Sequence, residues 1–214
     1  NKSLSFALPV ILVAWSAVLL AQKIDLPVAD IGRHIKNGEI MLNAPWGEKR
    51  ALLNQNFYSY TEPNHEFVNH HWLSGVIFYL VHQLFGFKGL SVFYIVMVTG
   101  AVFFFLRISQ KQAGSAIAAI LAVLVLPTIA SRAEVRPEGF TYLLMAVFFW
   151  ILHNYFHPSL ALSPSAGREI RKSSSPLRGE VRRGWVWLLP LLMLLWVNLH
   201  IGFIFGFLIL GAFW

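Results

Sequence analysis

The chain has 214 residues, 57% apolar and only 13% charged, with a formal charge of +7 and no cysteine. A soluble domain of this length carries about a quarter charged residues, so an ordinary soluble globule is excluded, as are disulfides, thiolate catalysis and cysteine-based metal sites. The positive charge sits in connections between apolar blocks, a placement that argues against nucleic acid as a partner.

Six blocks, 5–21, 90–106, 115–130, 140–156, 185–199 and 201–214, contain no Asp, Glu, Lys or Arg. A bilayer core is crossed by about 20 apolar helical residues, so these are expected to be spans or parts of spans in an all-α, polytopic integral membrane protein. The first block lacks a small-residue cleavage site and is followed by more spans, so it does not read as a signal peptide. The chain starts without methionine and stops inside an apolar run at Trp214. It is therefore expected to be one membrane domain, 1–214, truncated at its C-terminal side.

After the first block comes a long polar loop, 22–89. Pro27 suits a helix start, and an amphipathic pattern follows, with Ile31, Ile35 and Leu42 on one side and Asp30, Arg33, His34, Asn37 and Met41 on the other. A carboxylate beside an Arg and a His suits acid–base or phosphate-handling chemistry, although spacing alone favours a solvated face with an ion pair. Further on, Glu62, His65, Glu66, His70 and His71 fall close together and could hold a divalent metal, with His65, Glu66 and His70 as the ligand candidates. The helical His-x-x-x-His spacing that such a site would use is missing, and histidines and aromatics are also ordinary interfacial residues. Trp72, Tyr58 and Tyr60, with nearby Asn and His, equally suit contact with a carbohydrate. The run 72–85 is short and interrupted by His82 and Gln83, so it is expected to lie along the outer membrane surface rather than to cross it.

The connection after 90–106 holds Arg107 and Lys111, and the one after 140–156 holds six basic residues between Arg168 and Arg183. Two spans separate these connections, so both fall on one side, and the bias of Lys and Arg toward short cytoplasmic loops makes that side the cytoplasm. The loops 22–89 and 131–139 are then external. The second of these carries Arg132, Glu134, Arg136 and Glu138. Arginine forks match phosphate oxygens; snorkelling explains the arginines alone equally well, but not the two carboxylates. The segment 157–184, rich in Ser, Pro, Arg and Gly, is expected to be a flexible basic cytoplasmic linker. The last two blocks are joined through Trp196, Asn198, His200 and Gly202, for which a tight turn is a sufficient reading.

These motifs together resemble the GT-C superfamily of membrane glycosyltransferases, in the branch of protein mannosyltransferases and lipid A aminoarabinose transferases. The match comprises D-x-G-x-H-x-x-x-G at Asp30–Gly38, Tyr58-Ser59-Tyr60-Thr61 with His71-Trp72-Leu73, R-P-x-x-F at Arg136–Phe140, and W-x-N-x-H-x-G at Trp196–Gly202. It covers nearly all of the chain except 157–184. The resemblance implies a GT-C-like helical bundle with a long first external loop, sitting as a multi-pass protein in the cell membrane. It implies transfer of a sugar from a polyprenyl-phosphate donor to a glycan, lipid or protein hydroxyl on the outer face, with membrane lipid as a further partner. Asp30 matches the proposed general base, and Glu138 or Glu134 takes the second acidic position, where this chain has no Asp. A donor phosphate at the interface needs cations, for which Arg33, Arg132, Arg136 and Lys88 are the candidates, and His34, His70, His71 and Trp72 complete the expected substrate-binding set; no cofactor is certain, a divalent metal being the one left open. The competing classes are a non-catalytic membrane scaffold and a transporter subunit; against the latter, the span cores hold no ionisable group beyond His153.

Overall fold

The structure is a computed structural model that describes residues 2–24, 30–54, 56, 59–62, 65–131, 133–156 and 185–214. Arg132, Tyr58, Pro27 and the expected linker 157–184 lie outside the described residues. Among the described residues the helices run in order: α1 (Lys2–Leu20), α2 (Ile31–Asn43), α3 (Trp46–Leu52), α4 (Trp72–Ala130), α5 (Glu138–Phe156), α6 (Leu188–Leu199) and α7 (Ile204–Phe213), with a 3₁₀ turn, Ile201–Phe203, between the last two. No strand occurs among the described residues. Two of these helices, α4 and α5, are long and apolar enough to cross a membrane; the apolar stretches Ala7–Leu20, Leu188–Leu199 and Ile201–Phe213 are shorter.

The 59-residue α4 is not one rod. Its backbone takes φ of 63° at Gly86 and 82° at Gly114, values that only glycine adopts without strain, so it bends into stretches 72–85, 87–113 and 115–130. Arg107 and Lys111 therefore sit on helix rather than in an open loop. At Gly114 the chain doubles back, and Val102 and Leu106 pack against Ala122 and Leu126, with Leu12 of α1 in the same cluster. Ala118, Ala122 and Ala130 keep this face of 115–130 small, so the neighbouring backbones approach closely. The main core lies between α4, α5 and α6 around the fully buried Phe78, Phe148 and Trp196, with the Phe148 and Trp196 rings 5.4 Å apart.

Contacts sort the two ends of the bundle. At one end Gln22 donates to the Ala130 carbonyl at 3.1 Å, and Trp72 Nε1 donates to Asn198 Oδ1 at 2.9 Å. At the other end Lys111 Nζ donates to Asn154 Oδ1 at 3.0 Å, and Phe156 meets Phe213 with ring centroids 5.8 Å apart. Arg107 and Lys111 thus lie toward the end from which 157–184 departs, while Glu134, Arg136 and Glu138 lie at the opposite, loop-bearing end. The stretch 72–85 belongs to the loop end: Phe78 packs on Phe93 and Phe140 at 6.5 and 5.6 Å, and α2 lies across it where Gly38 meets Gly75.

Candidate functional site

The buried face of α2 is Ile31, His34, Asn37, Gly38 and Met41. This corrects the sequence expectation, which grouped Ile31 with Ile35 and Leu42 and set His34, Asn37 and Met41 opposite. Leu42 is exposed and Ile35 only partly buried. The polar residues turn inward because partners wait for them there and because two glycines let α2 and α4 come together. Asn37 and Asn69 exchange a reciprocal pair of hydrogen bonds, 2.9 and 2.8 Å, and both are buried. Asn69 also donates its backbone N–H to the Leu53 carbonyl at 2.8 Å, tying the end of α3 to the start of α4.

Around this pair four imidazoles converge. The His34 ring lies edge-on to His71 at 5.7 Å, His70 is tilted onto His71 at 3.9 Å, and His200 stacks on His71 at 5.1 Å with 15° between the planes. A cavity of about 110 Å³ lies among Arg33, His34, Asn37, Asn69, His70 and His71. His71 Nδ1 is buried and has no hydrogen-bond partner. Burial, reinforced by the Arg33 guanidinium, lowers the His34 pKa to about 3. Burial and the neighbouring His70 and His200 lower that of His71 to about 4, with a hydrogen bond to the Leu199 carbonyl working the other way. Both rings are neutral at physiological pH.

The His200 tautomer follows from its partners. The Gly202 N–H can only donate, and it reaches His200 Nδ1 at 3.1 Å, so Nδ1 is an acceptor. Thr141 Oγ1, 2.8 Å away, already accepts from Trp196 Nε1 at 3.0 Å and gives its single proton to the same nitrogen. The W-x-N-x-H-x-G segment is therefore more than a turn. Trp196 and His200 are joined through Thr141 of α5, Asn198 receives Trp72, and a Cβ on Gly202 would run into Thr141. Burial lowers the His200 pKa, and Glu138 opposes that shift, which puts this ring in the field of the second acidic loop.

In that loop, Glu134, Arg136 and Glu138 line a second pocket of about 120 Å³ with Tyr94 and Tyr142. Arg136 pairs with Glu134 at 2.6 Å, and its charge reaches His34, so the two pockets share one electrostatic environment. Asp30 occupies the N-cap position of α2 without a side-chain cap bond. Its carboxylate is largely exposed and lies 3.7 Å from Arg33, which connects it to the first cavity. His65 and Glu66 are exposed and do not join His70, whose Nδ1 lies 2.9 Å from the Val68 carbonyl. Among the described residues, no three His, Asp or Glu side chains gather to hold a metal ion.

Comparison with family models, curated proteins and solved structures finds no match to this chain. The functional reading therefore rests on the geometry. Of the residues singled out in the sequence, the structure brings His34, His70 and His71 together and puts Arg136 in the neighbouring pocket; His200, Thr141 and the Asn37–Asn69 pair join them without having been assigned to a site. Only the spacing of the W-x-N-x-H-x-G motif hinted at His200; nothing in the sequence tied it to residues more than a hundred positions earlier.

The neutral histidines carry a pH dependence with a definite sign. A folded pKa of about 3 against 6.5 when unfolded means that the unfolded chain binds more protons below 6.5. The folded state thus loses stability as pH falls from 6.5 toward about 3 and is unaffected by His34 above that window, the total being on the order of a few kcal/mol. Thermal unfolding in nanodiscs followed across this range is expected to show falling midpoints on acidification, with a shallower slope in His34→Phe. An equal slope in that variant would remove His34 from the account.

Proposed function

We propose that the chain is a multi-pass protein of the cell membrane and acts as a GT-C-like glycosyltransferase, moving a sugar from a polyprenyl-phosphate donor to an acceptor hydroxyl on the outer face. A bilayer setting is supported by the surface of the bundle. Only 22% of the most apolar window of α4 is buried, and Ile117, Ile120, Leu121 and Leu124 form an exposed apolar stripe on 115–130. Water would not tolerate such continuous apolar area; lipid would.

One observation carries the choice of donor. An apolar groove of about 360 Å³ runs between α4 and α5, walled by Val98, Phe105, Ile129 and Met145, and Tyr142 belongs both to this groove and to the polar pocket of Arg136. A ligand with a hydrocarbon chain and an anionic head fits that continuity, the chain lying in the groove and the phosphate meeting the guanidinium. A scaffold has no use for it.

In the proposed reaction the acceptor oxygen attacks the anomeric carbon, the bond from that carbon to the phosphate oxygen breaks, and its electron pair leaves with the polyprenyl phosphate. Asp30 takes the hydroxyl proton as general base, and Arg136 offsets the charge developing on the leaving phosphate. Glu138, in the first turn of α5, lies beside that departing group. Transfer assayed in membranes with a pool of polyprenyl-phosphate sugars tests the reading. Arg136→Ala is expected to raise the donor KM by about 10- to 100-fold, the worth of a charge-assisted hydrogen bond. A full-length wild type that transfers no sugar from a broad pool would sink the proposal.

A further inference from the structure

Where α4 bends at Gly86, large apolar side chains stand open on both sides of the bend. Leu84 and Phe85 are 72% and 68% exposed, and Leu80 and Phe87 are exposed beside them. The elbow is nevertheless closed. A Cβ on Gly89 would run into Phe85, and the His82 ring packs edge-on against Phe87 at 4.7 Å. Side chains held in place yet uncovered form the kind of apolar patch that meets a partner or a membrane. The first arm, 72–85, does not cross the bundle: Trp72 meets Asn198 at the loop-bearing end, and Phe78 packs on Phe140, in the first turn of α5, at that same end. Phe93 of the second arm packs on Phe140 too, so the elbow projects from the loop-bearing end.

The second arm indicates what covers the patch. On 87–113, Lys88, Val92, Val96, Phe103 and Arg107 are exposed, and at 3.6 residues per turn they share one stripe about 100° wide. Lys88 and Arg107 close its two ends, nineteen residues apart. That is about 28 Å of helix, against about 30 Å for the hydrocarbon core of a bilayer. Neither cation has an ion-pair partner among the described residues. An apolar stripe of membrane thickness with an unpaired cation at each end suits a span whose basic side chains reach the lipid phosphates of both leaflets. A protein partner fits less well. Lysine is depleted at the core of protein interfaces, and Lys88 stands in the middle of the exposed surface, between the elbow and Val92. It lines neither the Arg33 cavity nor the Arg136 pocket.

We propose that the elbow is an anchor in the bilayer surface on the loop-bearing side. Leu84, Phe85 and Phe87 rest among the outer acyl carbons, Lys88 Nζ meets the phosphate of a bulk phospholipid, and 72–85 lies along the bilayer rather than across it. The inference rests on the membrane setting of the proposed function and is independent of sugar transfer.

The 214 residues hold no cysteine, so single cysteines carrying a nitroxide can report depth in a cysteine-free background of the full-length protein. In phosphatidylcholine nanodiscs, collisions with oxygen, which concentrates among acyl chains, are compared with collisions with a water-soluble nickel chelate. Val96→Cys supplies the hydrocarbon reference. Leu84→Cys and Phe85→Cys are expected to favour oxygen severalfold, at a shallower depth than Val96→Cys. In phosphate-free buffer, solid-state NMR is expected to show a dipolar contact between the ¹⁵N-labelled Lys88 Nζ and lipid ³¹P, a signal that Lys88→Gln lacks. Labels at 84 and 85 that favour nickel while Val96→Cys favours oxygen would put the elbow in water and overturn the anchor alone. Few collisions with either reagent would mean that protein covers the patch, a second copy or another segment, and would overturn it as well. No phosphorus contact at Lys88 would overturn the phosphate assignment. Nickel-favouring collisions at Val96→Cys would overturn the membrane setting together with the anchor.

Discussion

Asp30→Asn in the full-length protein is expected to lower sugar transfer by about 10²- to 10⁴-fold, the range over which a positioned general base contributes, with little change in donor KM. The substitution is informative because the fold has little reason to notice it. Asp30 makes no side-chain cap bond on α2, and Asn is as good an N-cap residue as Asp. The ion pair that disappears is a solvent-exposed one at 3.7 Å, worth about 0–1 kcal/mol, and it leaves Arg33 largely in water rather than stranded in the core. Expression and melting temperature should therefore match wild type while turnover collapses. Transfer at the wild-type rate would remove Asp30 from the mechanism and shift attention to Glu138, a carboxylate at the same end of the bundle that lines the Arg136 pocket. A collapse accompanied by unfolding would contradict the structural argument instead.

What could be read without the structure, and what could not, divides along physical lines. Apolar runs announce helices because hydrocarbon contact is a one-dimensional property, and 90–106, 115–130 and 140–156 fall within α4 and α5. The bends at Gly86 and Gly114 were not legible, since a glycine within an apolar block looks like any small packing residue until its φ is known. The α2 face was read the wrong way round for a related reason. Polarity predicts exposure only when no buried partner exists, and His34 and Asn37 find theirs in His71 and Asn69, on a distant segment of the loop. His200 shows the same limit more sharply: its role depends on Thr141, Gly202 and the stacked ring of His71, a convergence that no local pattern encodes. Charge asymmetry fared better. Arg107 and Lys111 on one hand, and Glu134, Arg136 and Glu138 on the other, lie toward opposite ends of the bundle, as the distribution of basic residues along the chain suggests.

The second large effect is expected at Gly38, where α2 and α4 touch through their backbones. A Cβ added there would fall on the Gly75 carbonyl group and within 2.8 Å of Tyr79 Cβ, and neither backbone nor a β-carbon can swing aside as the tip of a long side chain would. From the other side, a Cβ on Gly75 would stand 2.8 Å from the His34 carbonyl and 3.2 Å from Asn37 Nδ2, so the contact is tight in both directions. Gly38→Ala should force the helices apart and lower the unfolding free energy by about 1–3 kcal/mol. Gly38→Leu should do so by more, and with a functional cost that stability alone does not convey. His34, one turn back, and Asn37, the preceding residue, both on the buried face, would lift away from His71 and Asn69, breaking the reciprocal amide pair and opening the imidazole cluster. Gly32→Ala supplies the control. It lies on the same helix with nothing near its Cβ position, and replacing a helical glycine by alanine gains about 0.5–1 kcal/mol. The two alanine variants should therefore shift the melting temperature in nanodiscs in opposite directions, and only Gly38→Ala should disturb the histidine resonances. If both melt alike, α2 is not held against α4 through this contact, and the cavity it closes has no fixed wall.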